Sequence, residues 1–199
     1  MDLDATDLAD DPIEQFRLWF DAALVAGEAE PEAMALATAS AAGRPSVRLV
    51  LMRGFDHRGW TFYTNSRSRK GAELAENAWA AAAFRWNLTG RQVRISGPVQ
   101  KVEPAESDAY FATRARESQI GAWASHQSEV LADRAELMQR YGEVERRFAG
   151  AQVERPPWWG GYRVEPEEVE FWQQGSFRLH DRLRYRRDGS GWRLERLNP

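Results

Sequence analysis

The sequence predicts a β-rich α+β fold, a small barrel with surrounding helices, and three observations carry that reading. Five short runs rich in aromatic, β-branched or alternating apolar residues lie between Met34 and Val102, separated by turn chemistry and one helical stretch. The segment beyond Pro157 returns to the same pattern. At 199 residues, 43% hydrophobic and 12% aromatic, the chain is long enough to bury a core and short enough for one domain, here residues 12–199.

In chain order, residues 1–11 form an acidic arm with Asp2, Asp4, Asp7, Asp10 and Asp11, short of aromatics and expected to be flexible. Asp11-Pro12 opens an amphipathic helix whose stripe includes Ile13, Phe16, Trp19, Phe20 and Ala23, and Gly27 stops it. Met34 to Thr38 reads as a strand, Ala41 to Pro45 as a turn and Val47 to Arg53 as a second strand, together a hairpin. After the turn Asp56-His57-Arg58-Gly59, the aromatic run Trp60 to Thr64 adds a third strand. Ser66 or Ser68 can cap a helix from about Arg69 to Asn77. Ala80 to Trp86 and Arg91 to Val102 follow as strands joined at Asn87-Leu88-Thr89-Gly90. Pro104 starts a helical stretch through Tyr110 and Phe111, and Asp133 to Phe148 makes a charged helix that ends before Pro156-Pro157. Trp159 to Val164, Val169 to Gln173, Leu183 to Arg187 and Trp192 to Leu197 are the closing strands, the last pair around Asp188-Gly189.

Composition removes several functions. A formal charge of -3 creates no field that gathers nucleic acid or an anionic membrane, so phosphate recognition must be local. Without cysteine there are no disulfides, thiolate nucleophiles or cysteine-held metals. The acidic N-terminus has the wrong chemistry for a secretory or transit peptide and no apolar run spans a bilayer, so the cytoplasm is the expected location. His57, His126 and His180 stand far apart, which gives no metal site. No Gly-x-Gly-x-x-Gly, Walker-type loop or Gly-x-Ser-x-Gly elbow is present. A β-rich domain lacking its own redox or nucleophilic group points to a borrowed cofactor.

Four segments can hold such a group. Tyr63-Thr64-Asn65-Ser66-Arg67-Ser68-Arg69-Lys70 gathers hydroxyls and cations where a strand enters a helix, which suits a phosphate or, less specifically, a solvated basic turn. In Arg48-Leu49-Val50-Leu51-Met52-Arg53 alternation sends Arg48 and Leu49 to opposite faces. Gln92 either meets solvent or bonds a heteroaromatic edge. Tyr110, Arg114 and Ser118, four apart, share a face if their helix is continuous, although Arg114 to Glu117 equally reads as a break. Arg178, His180 and Arg182 fall on one side of an extended chain and can hold a planar anion and move a proton, or form a charged edge.

Taken together, Arg48-Leu49-Val50-Leu51, Phe62-Tyr63-Thr64-Asn65, Ser68-Arg69-Lys70, Arg91-Gln92-Val93, Ser118 to Trp123, Ser125-His126-Gln127-Ser128, Trp159-Gly160-Gly161-Tyr162 and Glu170 to Arg182 resemble the pyridoxamine 5′-phosphate oxidase family, from about residue 12 to the C-terminus. The resemblance implies a flavin mononucleotide (FMN)-binding split β-barrel and a homodimer with FMN at the subunit interface. It assigns FMN contacts to Arg48, Leu49, Val50, Leu51, Met52, Arg53, Tyr63, Thr64, Arg69, Lys70, Gln92, Gln127, Ser128, Trp172 and Arg182, with Arg69 and Lys70 on the phosphate. Substrate contacts fall to Arg53, Tyr110, Arg114, Ser118, Arg178, Leu179 and His180, of which Arg178 and His180 are the catalytic pair. The implied activity converts pyridoxamine or pyridoxine 5′-phosphate to pyridoxal 5′-phosphate, with dioxygen reduced to peroxide. Arg53 stands where the family usually has lysine, Gln174 where it usually has glycine, and the N-terminal arm is short. Alternatives are a flavin oxidase of the phenazine-pathway type and a non-catalytic flavin or pyridoxal-phosphate carrier.

Overall fold

The computed structural model describes residues 3–199 and confirms the β-rich α+β architecture. Among the described residues, nine antiparallel strands form one continuous sheet. β1 (Ala33–Ala39), β2 (Pro45–Asp56), β3 (Gly59–Asn65), β4 (Trp79–Trp86), β5 (Arg91–Lys101) and β6 (Trp159–Val164) run in the order β4-β1-β2-β3-β6-β5. Pairing of β4 with β5 closes them into a six-stranded barrel. β7 (Glu168–Gln173), β8 (Asp181–Asp188) and β9 (Gly191–Arg196) continue outward from β5.

Two long strands make the barrel split. β2 pairs with β1 as far as Leu51 and with β3 from Met52, with a register shift between Met52 and Gly54. β5 pairs with β7 over Arg91–Ser96 and with β6 over Val99–Lys101. Each strand thus belongs to two sheets that diverge, and the divergence leaves room for side chains of β2 and β3 on the outside.

Helix α1 (Pro12–Ala26) is capped by Asp11, whose carboxylate accepts from the amides of Ile13 and Glu14, and it ends at Gly27 in the left-handed conformation. Its apolar stripe seals the barrel: the Phe16 ring lies 5.1 Å from both Trp60 and Phe84, and Trp19 meets Phe171 edge-on. A second core of Phe111, Ile120, Phe148, Val153 and Trp159 seats α3 (Pro104–Ala112), α4 (Arg116–Ala124) and α5 (Arg134–Arg147) beside β6. Helix α2 (Arg69–Glu76) bridges β3 and β4, and the structure selects Ser68 over Ser66 as its cap.

Two expectations are corrected and one open alternative is decided. Tyr110, Arg114 and Ser118 are not on one helix, because α3 stops at Ala112 and α4 starts at Arg116; the buried Gln119 amide donates to the Phe111 carbonyl that the end of α3 leaves open. Arg178, His180 and Arg182 do not share an extended strand, because Phe177 and Arg178 adopt positive φ in a short 3-10 turn before β8 begins. The arm expected to be flexible is docked from Leu3 onward: Leu3 and Leu8 pack on the main core, and the Leu3 amide donates to Asp181. Met1 and Asp2 of that arm lie outside the described residues.

Candidate active site

A cleft of about 490 Å³ opens where β2 and β3 diverge beneath α2, α3 and α4. Pleating brings Leu49, Leu51 and Arg53 of β2 to it, with Val50 at the border; β3 supplies Tyr63, Thr64 and Asn65. Lys70, Tyr110, Arg114, Ser118, Ser125 and Gln127 complete the polar lining from segments that are far apart in sequence.

One end is built around Lys70. Its ammonium is buried and donates to Thr64 Oγ1 at 3.0 Å, to Gln127 Oε1 at 3.3 Å and to Ser68 Oγ at 3.4 Å. Burial, with a smaller push from the Arg48 charge, pulls its pKa down to about 8. An anion placed here would restore the charge that burial opposes.

The other end is aromatic and cationic. Tyr63 and Tyr110 stack with ring centroids 4.0 Å apart, and Trp159 continues the stack 5.4 Å from Tyr63. Gly161, paired with Tyr63 across the sheet, permits this: a Cβ there would sit 2.8 Å from the Tyr63 ring and 2.5 Å from Val102. Arg114 lies over Trp159, 4.7 Å from its centroid, and its buried Nη1 has no hydrogen-bond partner among the described residues. Burial lowers its pKa. A buried N–H donor left unused on a charged group is costly unless a ligand completes it. Arg53 at the rim is 3.8 Å from Glu32.

The remaining expected residues lie elsewhere. Met52 is in the core, while Arg48 and Arg69 turn to the buried carboxylate of Glu73, at 3.3 and 2.9 Å. Gln92 and Trp172 are cross-strand partners on β5 and β7. Arg182 makes a two-pronged bond to Glu170, at 2.8 and 3.1 Å. The His180 ring packs 4.5 Å from Trp172, and its Nδ1 accepts from the Gly175 amide at 3.2 Å. Arg178 and Leu179 are exposed, as is Ser128 with its positive φ. None of these lines the cleft within one chain, but Arg48, Arg69 and Ser128 adjoin its Lys70 end, Arg48 close enough for its charge to act on Lys70 and the other two next in sequence to Lys70 and Gln127, whereas Gln92, Trp172, Arg178, Leu179, His180 and Arg182 belong to the β5, β7 and β8 side.

Residues 20–148 match the family model described as pyridoxamine 5′-phosphate oxidase, and residues 159–199 match one described as the pyridoxine 5′-phosphate oxidase C-terminal dimerisation region. The chain belongs to the pyridoxamine 5′-phosphate oxidase family. Relatives named pyridoxine/pyridoxamine 5′-phosphate oxidase include one from Rubrobacter xylanophilus, 57% identical over 98% of this chain and 90% of that protein. Another, from Acaryochloris marina, is 52% identical over 98% and 89%. Among solved structures, PhzG from Burkholderia lata, in complex with tetrahydrophenazine-1-carboxylic acid, superposes with a TM-score of 0.92 at 42% identity, covering 98% of this chain and 95% of that one.

Sequence reasoning about this family member passed over three side chains that organise the site. Trp159 belongs to a strand and to the Trp159-Gly160-Gly161-Tyr162 stretch of the family resemblance, neither of which gives it a site role; its ring extends the Tyr63–Tyr110 stack and lies beneath Arg114. Glu73 follows Arg69 by one helical turn, a spacing that pairs opposite charges. Glu170 carried no local signal, because Arg94 and Arg182 reach it from the strands on either side.

Proposed function

We propose that this chain is an FMN-dependent oxidase that converts pyridoxamine or pyridoxine 5′-phosphate to pyridoxal 5′-phosphate in the cytoplasm. The observation that carries the proposal is one cleft with two separate anion-ready ends: buried Lys70 among Thr64 and Gln127, and half-buried Arg114 with a buried, unpartnered Nη1 above Trp159. Cofactor and substrate each bring one phosphate. The donor chemistry fits both, since an ammonium and a guanidinium with free N–H groups match phosphate oxygens.

On this reading Lys70, Thr64, Gln127 and Ser128 hold the FMN phosphate end with Arg48 and Arg69, and β2 from Leu49 to Arg53 runs along the ring system. Arg114, Tyr110, Ser118 and Arg53 take the substrate phosphate. A bound FMN would supply the hydride acceptor for the substrate's C4′ and the route by which the electron pair reaches dioxygen to give hydrogen peroxide. Alcohol and amine alike also release one proton, from O–H or N–H, so that two electrons and two protons reach dioxygen; the imine formed from the amine then takes up water and releases ammonia. Arg178 and His180 orient the pyridine ring and assist proton movement, with Leu179 lining the site.

Because Gln92, Trp172, Arg178, His180 and Arg182 lie away from the cleft, we assign them to the partner's cleft in a homodimer. Support comes from the outer face of β1, β2 and β4, where Val47 is 69% and Leu49 75% exposed beside half-exposed Trp79. The match of residues 159–199 to a dimerisation region agrees.

A second reading, oxidation of a phenazine precursor, is favoured by the likeness to PhzG. It leaves the donor at Arg114 without a phosphate. The deciding experiment is an absorbance spectrum of purified protein followed by peroxide release. Flavin bands with peroxide from either vitamer phosphate are expected. Flavin without peroxide would sink the assignment in favour of another substrate or a carrier, and no flavin after reconstitution would sink all of these.

A further inference from the structure

One turn beyond Arg69 on α2, Glu73 is buried at the meeting point of β1, β2 and the helix. Its Oε2 accepts from the hydroxyls of Thr38 and Ser46, each at 2.5 Å, and its Oε1 accepts from Arg69 Nε at 2.9 Å. The same two hydroxyls accept from Arg48: Nη1 donates to Thr38 and Nη2 to Ser46, each at 2.5 Å, while Nη2 also lies 3.3 Å from Glu73. One carboxylate thereby organises two guanidiniums through a closed set of hydrogen bonds. Among the described residues Arg69, whose side chain is 64% exposed, is bound only through Nε and keeps both Nη groups for another acceptor.

A carboxylate beside an anion site is electrostatically unfavourable for the anion, so its presence needs a compensating role. Resting on the FMN reading above, we propose that Glu73 is a positioning residue for the cofactor phosphate. It holds Arg48 and Arg69 in fixed orientations, so that the cost of ordering these long side chains is met on folding and not on binding. Glu73 itself touches no ligand.

Glu73→Gln preserves the shape and an acceptor for Thr38 and Ser46 but removes both ion pairs. Loss of a negative charge alone would tighten anion binding, whereas loss of positioning weakens it, so the sign separates the two roles. Apoprotein is titrated with FMN and with riboflavin by quenching of flavin fluorescence, and folding is checked by thermal melting. Wild type should prefer FMN; absence of that preference would overturn the phosphate-site reading itself. In the variant the FMN Kd should rise about tenfold while the riboflavin Kd stays constant. Unchanged or tighter FMN binding, or parallel loss of both flavins, would overturn the positioning role and leave the FMN site standing. If Glu73→Gln does not fold, Thr38→Val and Ser46→Ala, each removing one hydroxyl from the network, should show the same FMN-selective loss at smaller size; an unaltered FMN preference in both would overturn the proposal.

Discussion

The two groups of proposed site residues differ in how their own chain holds them. Around the cleft, Lys70, Tyr63, Tyr110 and Arg114 are fixed by hydrogen bonds, stacking and burial within one subunit. Around β7 and β8, Arg178 and Leu179 stand in solvent on a turn with two successive positive-φ residues, and Phe177 is 94% exposed. The first region is prepared to receive a ligand, and the second is prepared to meet a surface. Such a division is what a site shared between two copies requires, because the donated half must project.

The largest effect breaks the comparison directly. Arg114→Ala should lower kcat/KM about a hundredfold through loss of a charged phosphate contact. Arg178→Ala should lower kcat by about the same factor, in keeping with lost orientation and proton transfer, while the protein stays yellow. Neither variant alone turns over well. Dissociated and reassociated together, they should recover about a quarter of wild-type activity, since half of the dimers are mixed and each has one intact site. No recovery would mean that both arginines serve a site within a single chain.

Next in size is Val47→Asp, on the exposed sheet face but outside the cleft. A symmetric interface contains the substitution twice, so the dimer Kd should rise about a hundredfold or more. Sedimentation should show monomers, and activity should fall with dissociation. Full activity in a monomer would refute the shared site.

How much of this division can be read from sequence follows from its physics. The strands were legible because period-two alternation and turn residues are local, and Asp11-Pro12 and the pair Ser66 and Ser68 announced their helices for the same reason, with the choice of Ser68 left to the structure. The α3–α4 break was not decided, because Arg114 to Glu117 has ordinary helical composition and a distant amide, Gln119, completes the end of α3. Docking of the arm escaped notice because its partners, Asp181, Tyr185 and Arg196, are at the other end of the chain. Faces of strands can be predicted from alternation. Whether two faces serve one cleft or two cannot, since that depends on closure of the barrel and on a second copy.

A smaller effect tests the prepared region through pH. Lys70 has its pKa depressed to about 8, so it opposes folding below that value, and the penalty fades as pH rises toward its ordinary 10.5. Binding a phosphate dianion favours the charged form and draws in a proton. FMN affinity should therefore be level between the phosphate's second pKa of about 6 and pH 8, and decline above pH 8, approaching tenfold per pH unit. Lys70→Arg, which stays charged, should remove the decline; persistence of the same slope would place the titration elsewhere.

The smallest expected effect probes the projecting region without touching a proposed ligand contact. Gly175 packs against the backbone that follows the turn, and a Cβ there would sit 2.0 Å from the Leu179 carbonyl oxygen, a clash that a rotamer change cannot relieve. Its amide also donates to His180 Nδ1, which ties the turn to the ring packed on Trp172. Gly175→Ala should push residues 175–180 outward by a fraction of an ångström to an ångström or so. Because reacting groups tolerate little displacement, kcat should fall about tenfold. The residues proposed to hold flavin and, with Arg114, the substrate phosphate lie in the other region, so flavin content and KM should move little. A loss of flavin would show that the two regions are not mechanically independent. Unchanged turnover would show that the turn already relaxes when the partner's cleft receives it, which would make its strained form a property of the isolated chain.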